Sequence, residues 1–338
     1  MRNSIAVQAV VLALSAAVCP ASGQVLRLGT IAPEGTYWHE ILLETAQQWR
    51  KISGGKVRMT IFPGGVQGTE AEMLRKVRFG QLHAVALSGV GLPEADKSLQ
   101  CLALPMLYES YEEFDYVLER VRPQLEARLE QQGFIVLQWS DAGWIHFFTK
   151  RPATTLAEIR RMKLFISDSD PQAEQIYKEL GFNPVPIASK EILTMLQTGV
   201  IEAFDVPPLF ALANQSFALA NHMIDVRWSP LAAATVISRK AWEGIAPALR
   251  PTLLEAARAA GEQSRGKIRK LGDEAVIEMQ KRGLNVIRPD SAALAKWRSE
   301  AEAAYPKLRG AVVPAEIFDE VVRLRNEFRR SGAPPRSK

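Results

Sequence analysis

The residues best suited to metal binding or nucleophilic catalysis lie far apart in this sequence. The histidines, at positions 39, 83, 146 and 222, do not recur at spacings such as His-x-x-x-His that bring two imidazoles to one metal ion. Cys101 has no histidine near it in sequence, so we interpret it as a small buried apolar residue rather than a nucleophile. The sequence therefore predicts no catalytic centre, no metal and no cofactor.

Two glycine-containing stretches follow predicted strands. The first, Gly64-Gly65-x-x-Gly68, precedes a predicted helix but lacks the Lys and Ser/Thr of a phosphate-binding loop. The second, Ser88-Gly89, ends an apolar strand, where open α/β sheets place their ligand contacts. A tight turn that requires glycine explains Ser88-Gly89 equally well, and both interpretations stay open here.

The apolar periodicity predicts an α/β protein. Strands alternate with helices from the N-terminal third onward, which is typical of a layered sheet buried on both faces. Predicted strands cover residues 24–29, 56–62, 84–87, 134–139, 163–166, 183–187 and 201–206. Predicted helices cover 38–52, 69–79, 112–132, a short segment after the capping box at Thr155, 171–180, 190–197 with Ser189 as its cap, and about 248–282.

The first 23 residues have the pattern of a secretory signal peptide. Arg2 provides the positive start, residues 5–18 are largely apolar, and Ala21-Ser22-Gly23 offers the small residues that precede a cleavage site. We predict cleavage after Gly23 and export to the periplasm. A lipid anchor at Cys19 and an uncleaved anchor are the alternatives. The apolar run is shorter than the ~20 residues of a transmembrane helix, and no later segment predicts one.

The net charge of +5 does not indicate a nucleic-acid partner. In the last third of the chain, basic residues alternate with acidic residues along predicted helices, which is typical of a solvated face. The sequence contains no cluster of basic and aromatic residues of the kind that binds nucleic acid. The tail at residues 331–338 is predicted to be disordered.

Several short motifs, in order, resemble those of one family. They are Ala-Pro-Glu-Gly-Thr at 32–36, Phe-Pro-Gly-Gly at 62–65, Gly-Phe-Asn-Pro-Val-Pro at 181–186 and Leu-Gln-Thr-Gly-Val-Ile-Glu at 196–202. Together they are similar to the periplasmic solute-binding proteins of tripartite ATP-independent periplasmic (TRAP) transporters. The resemblance covers nearly all of the chain after the predicted signal peptide.

This resemblance implies a two-lobed class II periplasmic binding protein with a ligand cleft between α/β lobes. Lobe I is expected to comprise residues 24–145 plus about 229–265. Lobe II is expected to comprise residues 146–228 plus about 266–330. A long C-terminal helix is expected to span both lobes, and hinge motion is expected to close them around the ligand.

Three positions depart from the family pattern in the same direction. Phe165 stands where the family has an arginine that grips a substrate carboxylate, and Ile145 stands where it often has a second arginine. Val206 replaces an asparagine that can bond polar ligand groups. A guanidinium is a bidentate carboxylate ligand, whereas a phenyl ring offers only apolar surface. The departures therefore imply a family scaffold whose usual carboxylate contacts have been lost.

The candidate ligand contacts combine these positions with their neighbours in sequence. Trp144 and Trp228 suit a cleft wall or a core equally well. Asp205 suits a hydrogen bond to a ligand hydroxyl, although pairing with a nearby base is slightly favoured. The predicted contacts are Trp38, Ser88, Gly89, Val90, Trp144, Ile145, Phe165, Phe204, Asp205, Val206, Phe210 and Trp228.

The sequence thus predicts a periplasmic receptor, not an enzyme, that binds an apolar or amphipathic small molecule and delivers it to a TRAP permease. The substitution pattern resembles the TatP subset, which is associated with a tetratricopeptide-repeat partner. The alternative is an organic-acid receptor in which Arg151, Arg160, Arg161 or Arg227 supplies the missing guanidinium. A purely structural or adhesive role would leave the resemblance to a cleft scaffold unexplained.

Overall fold

A computed structural model describes residues 23–332 of the chain. The predicted signal peptide, apart from Gly23, and residues 333–338 of the predicted tail lie outside the described residues. The strands are β1 Gln24–Thr30, β2 Val57–Phe62, β3 Ala84–Ser88, β4 Phe134–Trp144, β5 His146–Thr149, β6 Lys163–Ser167, β7 Asn183–Ile187, β8 Ala203–Val206, β9 His222–Ile224, β10 Pro230–Ser238 and β11 Asn285–Ile287.

The helices lie between and after these strands. They are α1 Tyr37–Ile52, α2 Glu70–Arg78, α3 Leu92–Ala95, α4 Tyr111–Gln131, α5 Leu156–Arg160, α6 Pro171–Glu179, α7 Ile192–Thr198, α8 Pro208–Ala213, α9 Arg239–Glu243, α10 Arg250–Lys281, α11 Ser291–Glu302, α12 Tyr305–Leu308 and α13 Ala315–Arg330. Short 3-10 helices cover Lys97–Ala103, Ser189–Glu191 and Ser216–Ala218.

Two mixed sheets organise the chain. The first has the order β2-β1-β3-β10-β4, and the second has the order β11-β9-β5-β8-β6-β7. In the first sheet β1 pairs in parallel with β2 and β3, whereas β10 runs antiparallel to β3 and β4. The predicted α/β class with two sheet-based lobes is confirmed.

Local capping signals place some helix starts as predicted and one differently. The Thr155 hydroxyl accepts a hydrogen bond from the backbone N–H of Glu158, and the Glu158 carboxylate accepts one from the backbone N–H of Thr155. The predicted capping box is therefore present. Ser189 does not cap a helix, and that prediction is wrong. It opens a 3-10 turn, and α7 begins after Glu191 without a side-chain cap.

The sequence reading missed strand β10, which lies between β3 and β4 near the centre of the first sheet. Its sequence, Pro-Leu-Ala-Ala-Ala-Thr-Val-Ile-Ser, is buried over most of its length. A strand covered on both faces shows no alternation of polar and apolar residues, so periodicity alone does not reveal it. Strands β5, β9 and β11 are only three or four residues long and were missed as well.

Helix α10 confirms the predicted long helix that spans both lobes. Its 32 residues extend over about 48 Å at 1.5 Å per residue. It packs on α1 and β4 of the first sheet, and near its end Met279 joins the core that contains Phe148 and Phe204 of the second sheet. The helix therefore ties the two sheets together.

The C-terminal helix α13 packs against α4, beside the first sheet, although residues up to about 330 are predicted in lobe II. The Nε of Arg329 donates to Glu113 at 2.5 Å, and the hydroxyl of Tyr116 donates to Glu327 at 2.5 Å. These polar contacts and the buried apolar face of α13 hold the helix beside α4. The predicted lobe limits remain predictions.

Across residues 23–332, no helix is both long enough and apolar enough to cross a membrane.

The close contact between α10 and β4 generates the first prediction. A Cβ on Gly261 would lie 2.3 Å from the carbonyl oxygen of Trp139, so Gly261→Ala forces the helix away from the strand. We expect it to lower the free energy of unfolding by about 1–3 kcal/mol in chemical denaturation. The matched control is Gly266→Ala, on the same helix with no atom within 4 Å of the added Cβ. That change should raise stability by up to ~1 kcal/mol, and equal behaviour of the two variants would contradict the packing argument.

Candidate ligand-binding cavity

A cavity of about 170 Å³ lies between the two sheets. The first sheet contributes the ends of β1 and β3 and the inner faces of β4 and β10. The second sheet contributes the ends of β6 and β8, and one face of α6 lies beside them. Open α/β sheets commonly bind ligands in a crevice at the carboxyl ends of their strands. An apolar cavity of this size holds a molecule as large as benzene.

Most of the predicted contacts line this cavity. On the side of the first sheet they are Trp38, Ser88, Gly89 and Val90. At the crossing between the sheets they are Ile145 and Trp228. On the side of the second sheet they are Phe165, Asp205, Val206 and Phe210. The structure therefore brings together residues that are widely separated in the chain, and a role in ligand binding for each remains a prediction.

Phe204 and Trp144 do not line the cavity, and the structure corrects their placement. Successive side chains of a strand point to opposite faces, so Phe204 points away from Asp205. It stacks on Phe148, with ring centroids 4.9 Å apart, in the core of the second sheet. The indole of Trp144 packs instead against Tyr111, at 5.3 Å between ring centroids.

The glycine of the Ser88-Gly89 pair is required by packing. A Cβ on Gly89 would lie 2.9 Å from a methyl group of Leu231 and 3.2 Å from the carbonyl oxygen of Ala232, both on β10. Its φ is not in the left-handed region, so the turn alone does not explain it. Gly89 lets β10 approach closely, and its backbone lines the cavity as a result.

None of the four arginines proposed for the organic-acid alternative lines the cavity. The guanidinium of Arg160 donates to Glu300 at 2.6 Å and to the carbonyl oxygen of Leu180 at 2.7 Å. Arg151 forms an ion pair with Glu202 at 3.7 Å. Both side chains are thus engaged with partners outside the cavity lining.

The two remaining candidates, Arg227 and Arg161, also lie elsewhere. Arg227 donates to the carbonyl oxygen of Glu109 at 3.0 Å and lies 5.8 Å from the ring centroid of Trp144. Arg161 is exposed at the end of α5. Among the residues that the structure describes, no arginine, lysine or histidine lines the cavity.

Two carboxyl groups do line it, on the side of the second sheet. Asp205, on β8, accepts a hydrogen bond from the hydroxyl of Tyr177. Burial raises the pKa of Asp205 to about 7, although the bond from Tyr177 lowers it. The ring of Tyr177 packs between Phe182 and Trp228, with centroids 5.2 and 6.2 Å away, so an aromatic cluster fixes the hydroxyl that holds Asp205.

Asp170 is the second carboxyl group. It caps α6, accepting a hydrogen bond from the backbone N–H of Ala173 at 2.8 Å. Burial raises the pKa of Asp170 to about 8, the bond from Ala173 lowers it, and the negative charges of Glu70, Glu94 and Asp205 raise it further. The protonated form of Asp170 is thus favoured near neutral pH in the unliganded protein.

A third buried carboxyl group, Glu70, lies directly behind the cavity wall. Its two oxygens accept hydrogen bonds from the backbone N–H of Ser88 at 2.5 Å and from the Ser88 hydroxyl at 2.9 Å. Burial raises the pKa of Glu70 to about 7, while these bonds lower it. Glu70 therefore positions Ser88 and places a third acidic group behind the part of the wall that the first sheet contributes.

Two glutamines of the lining carry buried oxygens without a partner. The side chains of Gln100 and Gln138 are 2% and 3% exposed, and neither amide oxygen accepts a hydrogen bond. The amide nitrogen of Gln138 donates to Thr235 at 3.4 Å. An unpaired buried acceptor costs free energy that a donor on a ligand can recover.

Sequence reasoning missed Asp170, Tyr177, Gln100 and Gln138. Asp170 precedes Pro171, which is a helix-start signal, and the end of the preceding strand could have marked it as a cavity residue. Tyr177 and the two glutamines gave no such signal, because each reaches the cavity only through the packing of separate elements.

Neither a metal site nor a reactive histidine or cysteine is found at the cavity among the described residues. In residues 23–332 no group of three or more His, Cys, Asp or Glu side chains is arranged to hold a metal ion. Burial lowers the pKa of His146 to about 4 and raises that of the Cys101 thiol. Neither residue lines the cavity.

Comparison with known proteins identifies the family. Bacterial extracellular solute-binding protein, family 7 (DctP), matches residues 28–310. The chain belongs to this family. A solute-binding protein of Roseobacter denitrificans is 24% identical over 319 residues, covering 92% of this chain and 95% of the relative. The 2,3-diketo-L-gulonate-binding periplasmic protein YiaO of Escherichia coli is 25% identical, covering 69% of this chain and 71% of YiaO.

Solved structures of TRAP solute-binding proteins share the fold of this family 7 chain. A galacturonate-bound TRAP periplasmic solute-binding protein from Xanthobacter autotrophicus has a TM-score of 0.82 at 18% identity, covering 89% of this chain and 99% of that one. A galactonate-bound sugar acid-binding protein from Advenella mimigardefordensis has a TM-score of 0.84 at 18% identity, covering 90% and 99%. The predicted resemblance to TRAP solute receptors is confirmed at the level of the family and the fold.

The raised pKa of Asp170 generates the second prediction. Between the usual carboxyl pKa near ~4 in the unfolded chain and about 8 in the folded protein, the folded state binds more protons. The free energy of unfolding therefore falls as pH rises through this window. We expect Asp170→Asn, which keeps a good helix cap, to gain on the wild type by up to ~1.4 kcal/mol per pH unit between about pH 5 and about pH 8.

Denaturation curves across this range measure the effect. Asp168→Asn is the matched control, because Asp168 is an exposed aspartate in the same loop. Its free energy of unfolding should run parallel to that of the wild type. If the free energy of unfolding of Asp170→Asn also ran parallel to that of the wild type across this pH range, Asp170 would not have a raised pKa.

Proposed function

We propose that this chain is the solute receptor of a TRAP transport system and that it captures an apolar or amphipathic small molecule in the cavity between its sheets. The observation that carries the proposal is the lining, which is mostly apolar and, among the described residues, contains no basic side chain. Phe165, Ile145 and Val206, at the positions of the family's polar contacts, all belong to it.

Burial provides most of the affinity in this proposal. Removing apolar surface from water contributes roughly 25 cal/mol per Å², from which the costs of association are subtracted. A few polar groups then orient the ligand, and the cavity offers Ser88, Gln100, Gln138 and Asp205 for this purpose. Family 7 relatives are solute-binding receptors, so we propose binding and delivery to a permease without chemical conversion.

A second ligand class is supported by the relatives. Related structures hold galacturonate, galactonate and orotic acid, and the E. coli relative is named for 2,3-diketo-L-gulonate. These comparisons favour an organic acid over an apolar ligand. An acid bound in this cavity needs serine hydroxyls, amides or backbone N–H groups in place of a guanidinium, or an arginine brought in by movement of the lobes.

We extend the proposal to the subset of the family, the protein partner and the cellular compartment. The three apolar departures support assignment to the TatP subset, and with it a tetratricopeptide-repeat partner beside the permease. The signal-peptide pattern of residues 1–23 supports the periplasm as the site of action.

Phe165→Arg tests the ligand class. The change removes aromatic surface that is 4% exposed and introduces a charge that must be desolvated or paired. After mass spectrometry identifies the ligand that co-purifies with the receptor, calorimetry should show that its affinity falls more than tenfold, or ~1.4 kcal/mol.

Phe79→Arg is the control for this experiment, because Phe79 is 81% exposed and lies outside the cavity. The Phe79→Arg variant should bind the same ligand with the affinity of the wild type. Tight binding of small dicarboxylates by the wild type, with no response to apolar ligands, would overturn the proposal in favour of the organic-acid alternative.

A further inference from the structure

The buried acidic residues of this protein fall into two groups. Within residues 23–332 five carboxylate side chains are buried. Two of them have arginine partners and do not belong to the cavity lining. Glu113 accepts from Arg329 at 2.5 Å, and Asp141 accepts from Arg269 at 2.9 Å. Buried charges are normally compensated in this way.

The other three, Glu70, Asp170 and Asp205, all lie at the cavity. Asp170 and Asp205 belong to its lining, and Glu70 is bonded to Ser88 of the lining. Within the described part of the chain, none of them forms an ion pair with an arginine, lysine or histidine. Among the described residues, the buried carboxyl groups without a basic partner therefore all lie at the cavity.

Two further buried polar atoms of the lining, both amide oxygens, are hydrogen-bond acceptors like the ionised carboxylates. The amide oxygens of Gln100 and Gln138 are buried, unpartnered and part of the same lining. They accept hydrogen bonds, as ionised carboxylates do. The aromatic rings of Trp38, Phe165 and Phe210 complete a wall that can face either an apolar group or a cation.

We propose that the ligand is an organic ammonium ion with an apolar body, whose charged nitrogen is held by Asp170 and Asp205. This inference rests on the proposed function and narrows its ligand class. An ammonium group donates up to three hydrogen bonds and accepts none, so it complements a lining rich in acceptors. It also supplies the positive charge that the buried acids lack.

A carboxylate is the opposite case. Bringing it beside Asp170 and Asp205 places like charges together in a buried site, so protons must be taken up to relieve the repulsion. A neutral alcohol of the same shape changes no charge. The three ligand classes therefore differ in how their binding depends on pH.

Asp170 and Asp205 govern this dependence. The charged or titratable groups beside them are the Glu70 and Glu94 carboxyls and the Tyr177 phenol that is bonded to Asp205. An ammonium ion favours the ionised carboxyls, so its binding releases protons and its affinity rises between about pH 6 and about pH 8. The affinity of a carboxylate falls over the same range, and that of an alcohol stays constant.

The experiment uses probes matched in shape. One set is 2-phenylethylammonium, 2-phenylethanol and 3-phenylpropionate, and the second is hexylammonium, hexanol and hexanoate. Each is titrated calorimetrically, in buffers of different ionisation enthalpy, into the full receptor freed of co-purified ligand. We expect at least one ammonium probe to bind tenfold or more tightly than its alcohol, with proton release.

Other outcomes separate the two levels of the proposal. Equal or tighter binding of the alcohol overturns the ammonium inference and leaves the apolar-ligand proposal standing. Binding of the carboxylates alone, with proton uptake, overturns both. Binding of none of the probes counts against the ammonium inference, since the cavity is large enough for a benzene ring.

Substitutions test whether Asp170 and Asp205 bind the ammonium group. Asp170→Asn and Asp205→Asn should each weaken the ammonium probe tenfold or more, or ~1.4 kcal/mol, and leave the alcohol probe within about twofold. Asp168→Asn, which changes the same charge outside the lining, should leave both unchanged. Thermal unfolding confirms that each variant is folded. Full retention of ammonium affinity in both cavity variants would refute the assignment.

Discussion

Two short stretches of chain, around Ile145 and Trp228, carry the polypeptide between the sheets, and the rest of the site depends on how they pair. The backbone N–H of Ile145 donates to Ser229 at 2.9 Å, and that of Trp228 donates to Ile145 at 3.1 Å. Because both segments also line the cavity, the connection that joins the sheets is part of the binding wall. If the lobes close by bending at these two segments, the cavity wall that the segments form would move as well.

The segment around Trp228 also positions the acidic group that the second sheet contributes to the cavity. The indole of Trp228 packs with Phe147 and Phe182, at 5.2 and 6.0 Å between ring centroids, and Tyr177 joins this cluster. The hydroxyl of Tyr177 then fixes Asp205. A rigid aromatic core thus holds an acidic group at the edge of an apolar space, which limits the geometries available to a bound ligand.

The acids around the cavity have an energetic consequence for the unliganded receptor. Ionising a buried carboxyl without a counter-charge is costly, so Asp170 and Asp205 retain protons at higher pH than ordinary carboxyls do. The other two buried carboxylates among the described residues, Glu113 and Asp141, form hydrogen bonds with Arg329 and Arg269. The family scaffold is thereby combined with a cavity whose lining, among the described residues, contains acidic side chains and no basic one.

The sequence alone determined the layered α/β class, the long helix and the capping box at Thr155, because these follow from local periodicity and capping chemistry. It also indicated Phe165, Ile145 and Val206, since their departures are visible against the family motifs. It placed Phe204 in the cleft, whereas strand alternation turns that ring towards Phe148. Only the tertiary structure brought Gln100, Gln138, Asp170 and Tyr177 to one cavity, because residues from separate elements meet through non-local packing that leaves no periodic pattern in the chain.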